Sequence, residues 1–99
     1  MHVISLRKLK EFWRRHPDAE EPLRRWYKIA KKAKWQSLAD NRNDFPHADL
    51  VGVCTIFIIK GNSYRLITKI YYDGQLVLAR FVMTHAEYDK GEWTDDCEC

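Results

Sequence analysis

The sequence of 99 residues contains no apolar run of about 18 residues, so it predicts no membrane-spanning helix. Its three cysteines are an odd number, which does not suggest a disulfide framework. The four glycines form no phosphate-binding loop, and no serine lies in the turn motif of a hydrolase nucleophile. These absences argue against four classes of protein and leave a chain with room for one compact domain, residues 1–99.

The sequence gives little evidence for a metal site or for a signal peptide. Residues 1–4 run directly into charged sequence, so we expect no signal peptide and a cytoplasmic location. A metal site would use Cys97 and Cys99 with Cys54 and the four histidines, but this spacing lacks the paired cysteines of structural zinc sites. No compact carboxylate set suggests a two-metal nuclease. The sequence therefore favours a protein without metal or cofactor, with zinc as the alternative.

Positive charge is concentrated in the first third of the chain. Residues 1–35 contain 11 Lys or Arg and four Asp or Glu, a net charge of +7, whereas residues 36–99 contain six and ten, a net charge of −4. Such a basic region can attract a polyanion such as RNA. The alternative is that these charges are only the solvated faces of helices.

Apolar periodicity predicts two N-terminal helices that form an antiparallel pair. The first begins at Ser5, which we expect to cap it with its hydroxyl, and ends before Pro17. The second begins at a capping box formed by Asp18 and Glu21 and reaches about Lys34. Residues 35–52 contain a polar turn-forming cluster and predict a long connecting loop.

The second half of the chain predicts three antiparallel strands, at residues 53–60, 63–72 and 75–84. Asp73-Gly74 predicts a type I′ turn between the last two. Residues 85–90 predict a short helical turn with Thr84 as its cap, and residues 91–99 a frayed acidic tail. The expected fold is α+β, with two helices packed on a three-stranded antiparallel sheet in the order α-α-β-β-β.

The predicted hairpin brings three cations together. A two-residue turn places Ile67 opposite Arg80 and Arg65 opposite Val82, and side-chain parity puts Arg65, Lys69 and Arg80 on one face. These two strands contain no acidic residue, so the cations predict an anion site. The alternative is that the long side chains extend to solvent from a half-buried face, since apolar residues share it.

A histidine and a tyrosine follow the third strand. His85 and Tyr88 are three residues apart, so one helical turn puts them on the same side. Histidine is the commonest general acid or base, and tyrosine can transfer a proton near cations or stack on a base, although a single histidine is often structural. With the cations, these groups could assist attack of a ribose 2′-hydroxyl on the adjacent phosphorus without a metal.

Two motifs resemble those of the HigB toxin family. They are residues 60–67 (KGNSYRLI) and residues 80–89 (RFVMTHAEYD), and residues 23–27, 33–35 and 45–49 also fit. The similarity extends over nearly the whole chain up to Lys90. It implies a RelE-like fold and the toxin of a type II toxin–antitoxin module, an endoribonuclease that cleaves mRNA, in many relatives on the translating ribosome. It also implies a HigA-type antitoxin with a helix-turn-helix domain as partner.

The resemblance also implies residue roles. Arg65 and Arg80 match positions expected to hold the scissile phosphate, and His85 and Tyr88 match the motif expected to transfer protons. Lys60 and Lys69 are then candidates for substrate positioning.

Two parts of the sequence depart from the family pattern. Ile58 stands where relatives often have asparagine, and residues 93–99 differ from the usual tail. From Glu87 to Cys99 the net charge is −5, from six acidic residues and one basic residue. This tail could lie near the cations and modulate substrate access, or it could only aid solubility.

A rival function is a non-catalytic RNA-binding or regulatory module on the same scaffold. Co-repression with the antitoxin would be an added role.

Overall fold

The computed structural model of the protein describes residues 1–98, which form an α+β fold. The strands are β1 (His2–Ile4), β2 (Asp49–Val51), β3 (Cys54–Ile59), β4 (Tyr64–Tyr71) and β5 (Leu76–Thr84). The α-helices are α1 (Leu6–Arg15), α2 (Glu20–Lys32), α3 (Leu38–Asp44) and α4 (His85–Lys90), with short 3₁₀ helices at Pro17–Ala19 and Thr94–Cys97. Within residues 1–98 no helix has the length and apolar character needed to cross a membrane.

The sheet has five strands rather than the three expected from the sequence. Its order is β1-β5-β4-β3-β2, and the predicted antiparallel meander corresponds to β3, β4 and β5. β1 pairs in parallel with β5, and β2 pairs antiparallel with β3, so the sheet is mixed. The prediction was wrong about both edges because each edge strand has only three residues, too few to show a period.

The two predicted N-terminal caps are wrong, although both helices are present. Ser5 has left-handed backbone (φ 79°) and its side chain makes no capping hydrogen bond. Pro17 begins a 3₁₀ helix, so α2 begins only at Glu20. Asp18 therefore lies before α2 and accepts hydrogen bonds from side chains of the sheet instead.

The segment expected to be a loop contains α3. The Ser37 hydroxyl accepts a hydrogen bond from the Asp40 backbone N–H, which caps the helix. Asn41 is fully buried and its amide donates to the Tyr72 hydroxyl at 2.7 Å, while the Trp35 indole N–H donates to Asp44 at 2.8 Å. Asn and Asp favour turns when solvated, but here tertiary hydrogen bonds stabilise a helix.

The predicted register of the β4–β5 hairpin holds only near the turn. Lys69 pairs with Leu78 as expected, but beyond Thr68 the register shifts by one, so that Arg65 pairs with Met83. Arg80 is the extra residue of this β-bulge. The turn is also not type I′, because the left-handed backbone falls on Gln75 (φ 53°) and not on its two central residues.

Helices α1 and α2 cover one face of the sheet, which we call the helix face. Here Phe57 of β3 contacts the rings of Trp26, Trp35 and Phe45 at centroid distances of 5.2 to 6.1 Å. Leu66 of β4 belongs to the same buried cluster and is fully buried. This face holds the larger hydrophobic core.

The C-terminal segment, residues 91–98, and α4 cover the opposite face, which we call the second face. Trp93 and Cys97 pack there with Ile56 and Ile67. A disulfide joins Cys54 to Cys97, so the expectations of a frayed tail and of no disulfide are wrong for these residues. An odd cysteine count does not prevent one pair from forming when the fold brings it together. Cys99 lies outside the described residues.

Candidate active site

The predicted cations lie on the second face, but in two separate groups. Arg80 and Lys69 form the first group near the middle of the hairpin, and Arg65 forms the second near the start of β4. Arg80 lies in the bulge of β5, and a bulge redirects the side chain that it carries.

A carboxylate from the C-terminal segment neutralises the first group. The Arg80 guanidinium donates from Nε and Nη2 to the two oxygens of Asp96, both at 2.9 Å, and Lys69 Nζ lies 3.7 Å from Asp96 Oδ2. The hydrogen bonds from Arg80 lower the pKa of Asp96, and the Asp96 carboxylate raises the pKa of Arg80. The two strands contain no acidic residue, as the sequence shows. The expectation of unpaired cations is nevertheless wrong here, because Asp96 comes from outside the strands.

Arg65 is the buried cation of the second face. It is 7% exposed, and its guanidinium donates to the side chain of Asn62 at 2.6 Å and to the carbonyls of Asn62 and Tyr64, both at 3.2 Å. Its guanidinium carbon lies 5.3 Å from the centre of the Tyr88 ring. All of these partners are neutral, and within residues 1–98 no carboxylate lies within 4.0 Å of its nitrogens.

The helix that carries His85 and Tyr88 is fixed at its N-terminal end. The predicted Thr84 cap is confirmed as a full capping box with Glu87, which lowers the pKa of Glu87 through the hydrogen bond from the Thr84 backbone N–H. The His85 backbone N–H donates to the Ser63 carbonyl at 3.1 Å, which ties α4 to the loop before β4.

The two side chains of the motif have different surroundings. His85 Nδ1 lies 3.1 Å from Asp89 Oδ2, and its side chain is 44% exposed. Tyr88 lies between Arg65 and Trp93, whose ring stacks on it at a centroid distance of 4.8 Å. The exposed imidazole is open to a substrate, and the phenol ring covers a buried cation.

Two cavities open beside these groups. One, of about 410 Å³, is lined by Arg65, Tyr88 and Ile58 and by His47 and Arg42 of the preceding segment. The second, of about 480 Å³, lies between α1 and β5 and is lined by side chains of both signs, namely Lys8, Glu11, Arg15, Arg80, Glu87 and Lys90 among others. Lys8 also donates to the Arg80 carbonyl at 2.9 Å, so the basic first helix borders the bulge.

Lys60 is not brought together with the other predicted residues. Its Nζ donates to Asp18 Oδ2 at 2.6 Å, and the Tyr64 hydroxyl donates to the other oxygen of Asp18 at 2.6 Å. These bonds lower the pKa of Asp18 and raise that of Tyr64. Because Tyr64 packs in the core of the helix face, Lys60 is held on that side of the sheet.

Sequence reasoning missed Asp96, Asn62 and His47. The acidic tail was a signal for Asp96, and the Gly61-Asn62 turn beside Arg65 was a signal for Asn62. His47 gave no signal, because only the fold brings the segment before β2 opposite Arg65.

The described residues contain one group that could hold a metal. The sulfurs of Cys54 and Cys97 and a carboxylate oxygen of Asp96 lie within 4.8 Å of one another. Zinc binds cysteine as thiolate, and in this form both sulfurs are joined in the disulfide while Asp96 is bound by Arg80. The donor set therefore does not fit a zinc ion as the protein stands.

Comparison with known families identifies the scaffold. A family model described as "HigB_toxin, RelE-like toxic component of a toxin-antitoxin system" matches residues 19–91. The chain belongs to the HigB toxin family. The match includes both motifs that suggested the resemblance and ends before Glu92, so the part of the C-terminal segment that carries Trp93, Asp96 and Cys97 lies beyond it.

Two individual relatives extend the family match. The chain is 27% identical to the mRNA interferase HigB of Escherichia coli (strain CFT073), over 91% of this chain and 90% of the relative. It is 26% identical to the mRNA interferase HigB of Shigella flexneri, over 90% of this chain and 88% of the relative. The HigB toxin predicted from the strand motifs is thus confirmed as the family.

Proposed function

We propose that this member of the HigB toxin family is an endoribonuclease that cleaves mRNA by metal-free attack of a ribose 2′-hydroxyl. Its relatives are named mRNA interferases, which supports the substrate. The observation that carries the mechanism is Arg65, a cation that is 7% exposed, has no carboxylate partner among residues 1–98 and lines an open cavity. A buried charge without a counter-ion is costly unless an anion such as phosphate binds there.

The reaction needs charge stabilisation and two proton transfers. As the 2′-oxygen attacks phosphorus, negative charge grows on the phosphoryl oxygens, and Arg65 and Arg80 stabilise it. One of His85 and Tyr88 acts as the base toward the 2′-hydroxyl, and the other acts as the acid toward the leaving 5′-oxygen. Bond formation to phosphorus yields a 2′,3′-cyclic phosphate on one product and a 5′-hydroxyl on the other.

Substrate positioning is assigned to lysines outside the reacting centre. Lys69 lies beside Arg80, where it can contact a phosphate, whereas Lys60 is paired with Asp18 on the helix face and would contact only a more distant part of the RNA. Phosphate contacts of this kind give affinity without sequence preference. We further propose cleavage on translating ribosomes in the cytoplasm and neutralisation by a HigA-type antitoxin, which the family membership supports.

One observation favours a second candidate function. Asp96 occupies Arg80 and so removes one of the two proposed phosphate ligands. A permanently occupied Arg80 would suit a non-catalytic RNA-binding or regulatory module better than a nuclease.

Cleavage of a defined mRNA in EDTA, with and without translating ribosomes, tests the first proposal. We expect cuts with 2′,3′-cyclic phosphate ends from the reduced protein. Arg65→Ala should lower the rate by about 10²–10³-fold, the usual effect of removing one transition-state donor. Arg7→Ala is the matched control, because Arg7 is 90% exposed and pairs only with Glu11 on α1. A folded protein that cuts in neither setting would favour the binding module.

A further inference from the structure

The C-terminal segment is held on the second face at three points. Trp93 is 6% exposed, stacks on Tyr88, and donates from its indole N–H to the Tyr88 carbonyl at 2.9 Å. The Cys97 carbonyl accepts from the Val53 N–H at 2.9 Å, and the Cys97 sulfur is bonded to Cys54 at the start of β3. Asp96 lies between these fixed points, so its position is determined by the fold around it.

The Asp96 carboxylate resembles a bound phosphate in its contacts. Its two oxygens accept hydrogen bonds from the Nε and Nη2 edge of the Arg80 guanidinium, and it makes a third contact with Lys69. Arginine binds phosphate with the same two parallel hydrogen bonds. An RNA phosphate and the Asp96 carboxylate therefore cannot both occupy Arg80 in this geometry.

We propose that the C-terminal segment is an autoinhibitory element whose Asp96 occupies the phosphate site, and that the Cys54–Cys97 disulfide locks it in place. The inference rests on the proposed function, because it takes Arg80 to be a ligand of the RNA phosphate. The oxidised protein is the closed form, and the reduced protein is the form that can bind RNA fully.

The disulfide is needed because the ion pair alone is weak. The side chains of Arg80 and Asp96 are 31% and 24% exposed, and ion pairs with access to solvent contribute little. A covalent bond one residue from Asp96 keeps its carboxylate at a high effective concentration beside Arg80. Without that bond, an RNA that contacts several cations at once displaces a single carboxylate.

The position of the segment in the chain agrees with a regulatory role. The family match ends at residue 91, so it does not include Asp96 or Cys97. In a compartment where mRNA is translated, thiols are kept reduced, and a disulfide there is usually transient and redox-sensing. A C-terminal segment that closes under oxidation fits this pattern.

The closing step balances with a low-molecular-weight disulfide as oxidant. One cysteine thiolate attacks the oxidant, forms a mixed disulfide and expels a first thiolate. The second cysteine thiolate then attacks the protein sulfur of that mixed disulfide and expels the second. The two cysteines lose two electrons and two protons, and the oxidant becomes two thiols. Opening is the reverse reaction with a dithiol, and it is slow because Cys54 and Cys97 are both fully buried.

The test measures binding of an RNA with a 2′-deoxyribose at the cleavage position, which cannot react, by oxidised and reduced protein. We expect the oxidised wild-type protein to bind at least about tenfold more weakly than the reduced one, as expected for a tethered competitor. Cys97→Ser should bind like the reduced protein under both conditions. Asp96→Asn keeps the disulfide and should also bind tightly when oxidised.

Two controls keep the interpretation specific. Asp95→Asn removes an exposed carboxylate one residue away, and Cys99→Ser removes a thiol two residues from Cys97. Both should keep the redox dependence of the wild-type protein. Equal affinity of oxidised and reduced wild-type protein would overturn the inference, as would a redox effect that persists in Asp96→Asn.

Cleavage of the all-ribose RNA by the same samples separates the two proposals. Cutting by both oxidised and reduced wild-type protein at one rate overturns the inference and leaves the nuclease intact. Redox-dependent binding without cutting by any form, including reduced protein and Cys97→Ser, overturns the proposed function alone.

Discussion

The two faces of the sheet are stabilised by different means. The helix face buries aromatic rings under α1 and α2, where Trp26 and Phe57 are at most 1% exposed. The second face has a smaller apolar cluster, contains Arg65, Lys69 and Arg80, and is covered by α4 and the C-terminal segment. The first face depends on apolar burial, and the second adds a disulfide and ion pairs.

This difference indicates which face of the sheet can carry a charged reactive site. Cations exclude close apolar packing around them, so a face that carries three of them cannot supply the burial that a chain of this size needs. The helix face supplies that burial, and the disulfide compensates on the side where charge replaces it. The three predictions below test this division.

The largest expected effect is on the helix face. Phe57→Ala should lower the free energy of unfolding by about 3–5 kcal/mol, because Phe57 is 1% exposed and contacts three other aromatic rings. Phe81→Ala, at a half-buried ring on the second face, should cost about half as much. Urea unfolding of the oxidised proteins measures both, and equal losses would contradict the comparison.

Breaking the disulfide should have the next largest effect. Cys54 and Cys97 are 43 residues apart, and closing a loop of this length in the unfolded chain stabilises by up to about 4 kcal/mol. Cys54→Ser should therefore lower the unfolding free energy by about 2–4 kcal/mol. Cys99→Ser is the control and should have no comparable effect. A loss below about 1 kcal/mol in Cys54→Ser would mean that the second face is held mainly by its apolar contacts.

The smallest effect should appear on acidification. The Arg80 hydrogen bonds hold the pKa of Asp96 below its usual 3.8, so the ionised carboxylate stabilises the folded state. That contribution is complete above the usual value and is lost as the pH falls through the lower folded value. Between neutral pH and about pH 2, wild-type protein should therefore lose more stability than Asp96→Asn. If the unfolding free energies of wild-type protein and Asp96→Asn, measured in urea, fall in parallel with pH, the Arg80–Asp96 pair contributes nothing to stability.

Local patterns were sufficient to predict the centre of the fold. The three long strands, the first two helices and the Thr84 cap follow from periodicity and capping residues, which act over a few neighbours. Side-chain parity also placed Arg65, Lys69 and Arg80 on one face, although the bulge at Arg80 shifted their pairing. A bulge has no local signature here, because it reflects how β5 packs against the rest of the molecule.

Features that depend on distant residues could not be read from the sequence. α3 needs the bonds from Asn41 to Tyr72 and from Trp35 to Asp44, and its own residues favour turns. The pairing of Arg80 with Asp96 likewise exists only because the C-terminal segment returns to the sheet. The candidate site was therefore predicted in its cations and its motif helix, while the acidic tail beside the cations was only one of two alternatives.

The parallel pairing of β1 with β5 determines when, during synthesis, the sheet can form. Residues 2–4 pair with residues 76–78, which are synthesised 74 residues later. Such non-local pairing delays folding until both strands are available. Arg80 follows in the same strand, so an unfinished chain has neither a closed sheet nor the second arginine of the proposed site. Any activity that needs Arg80 can therefore arise only after β5 has been synthesised and has paired with β1.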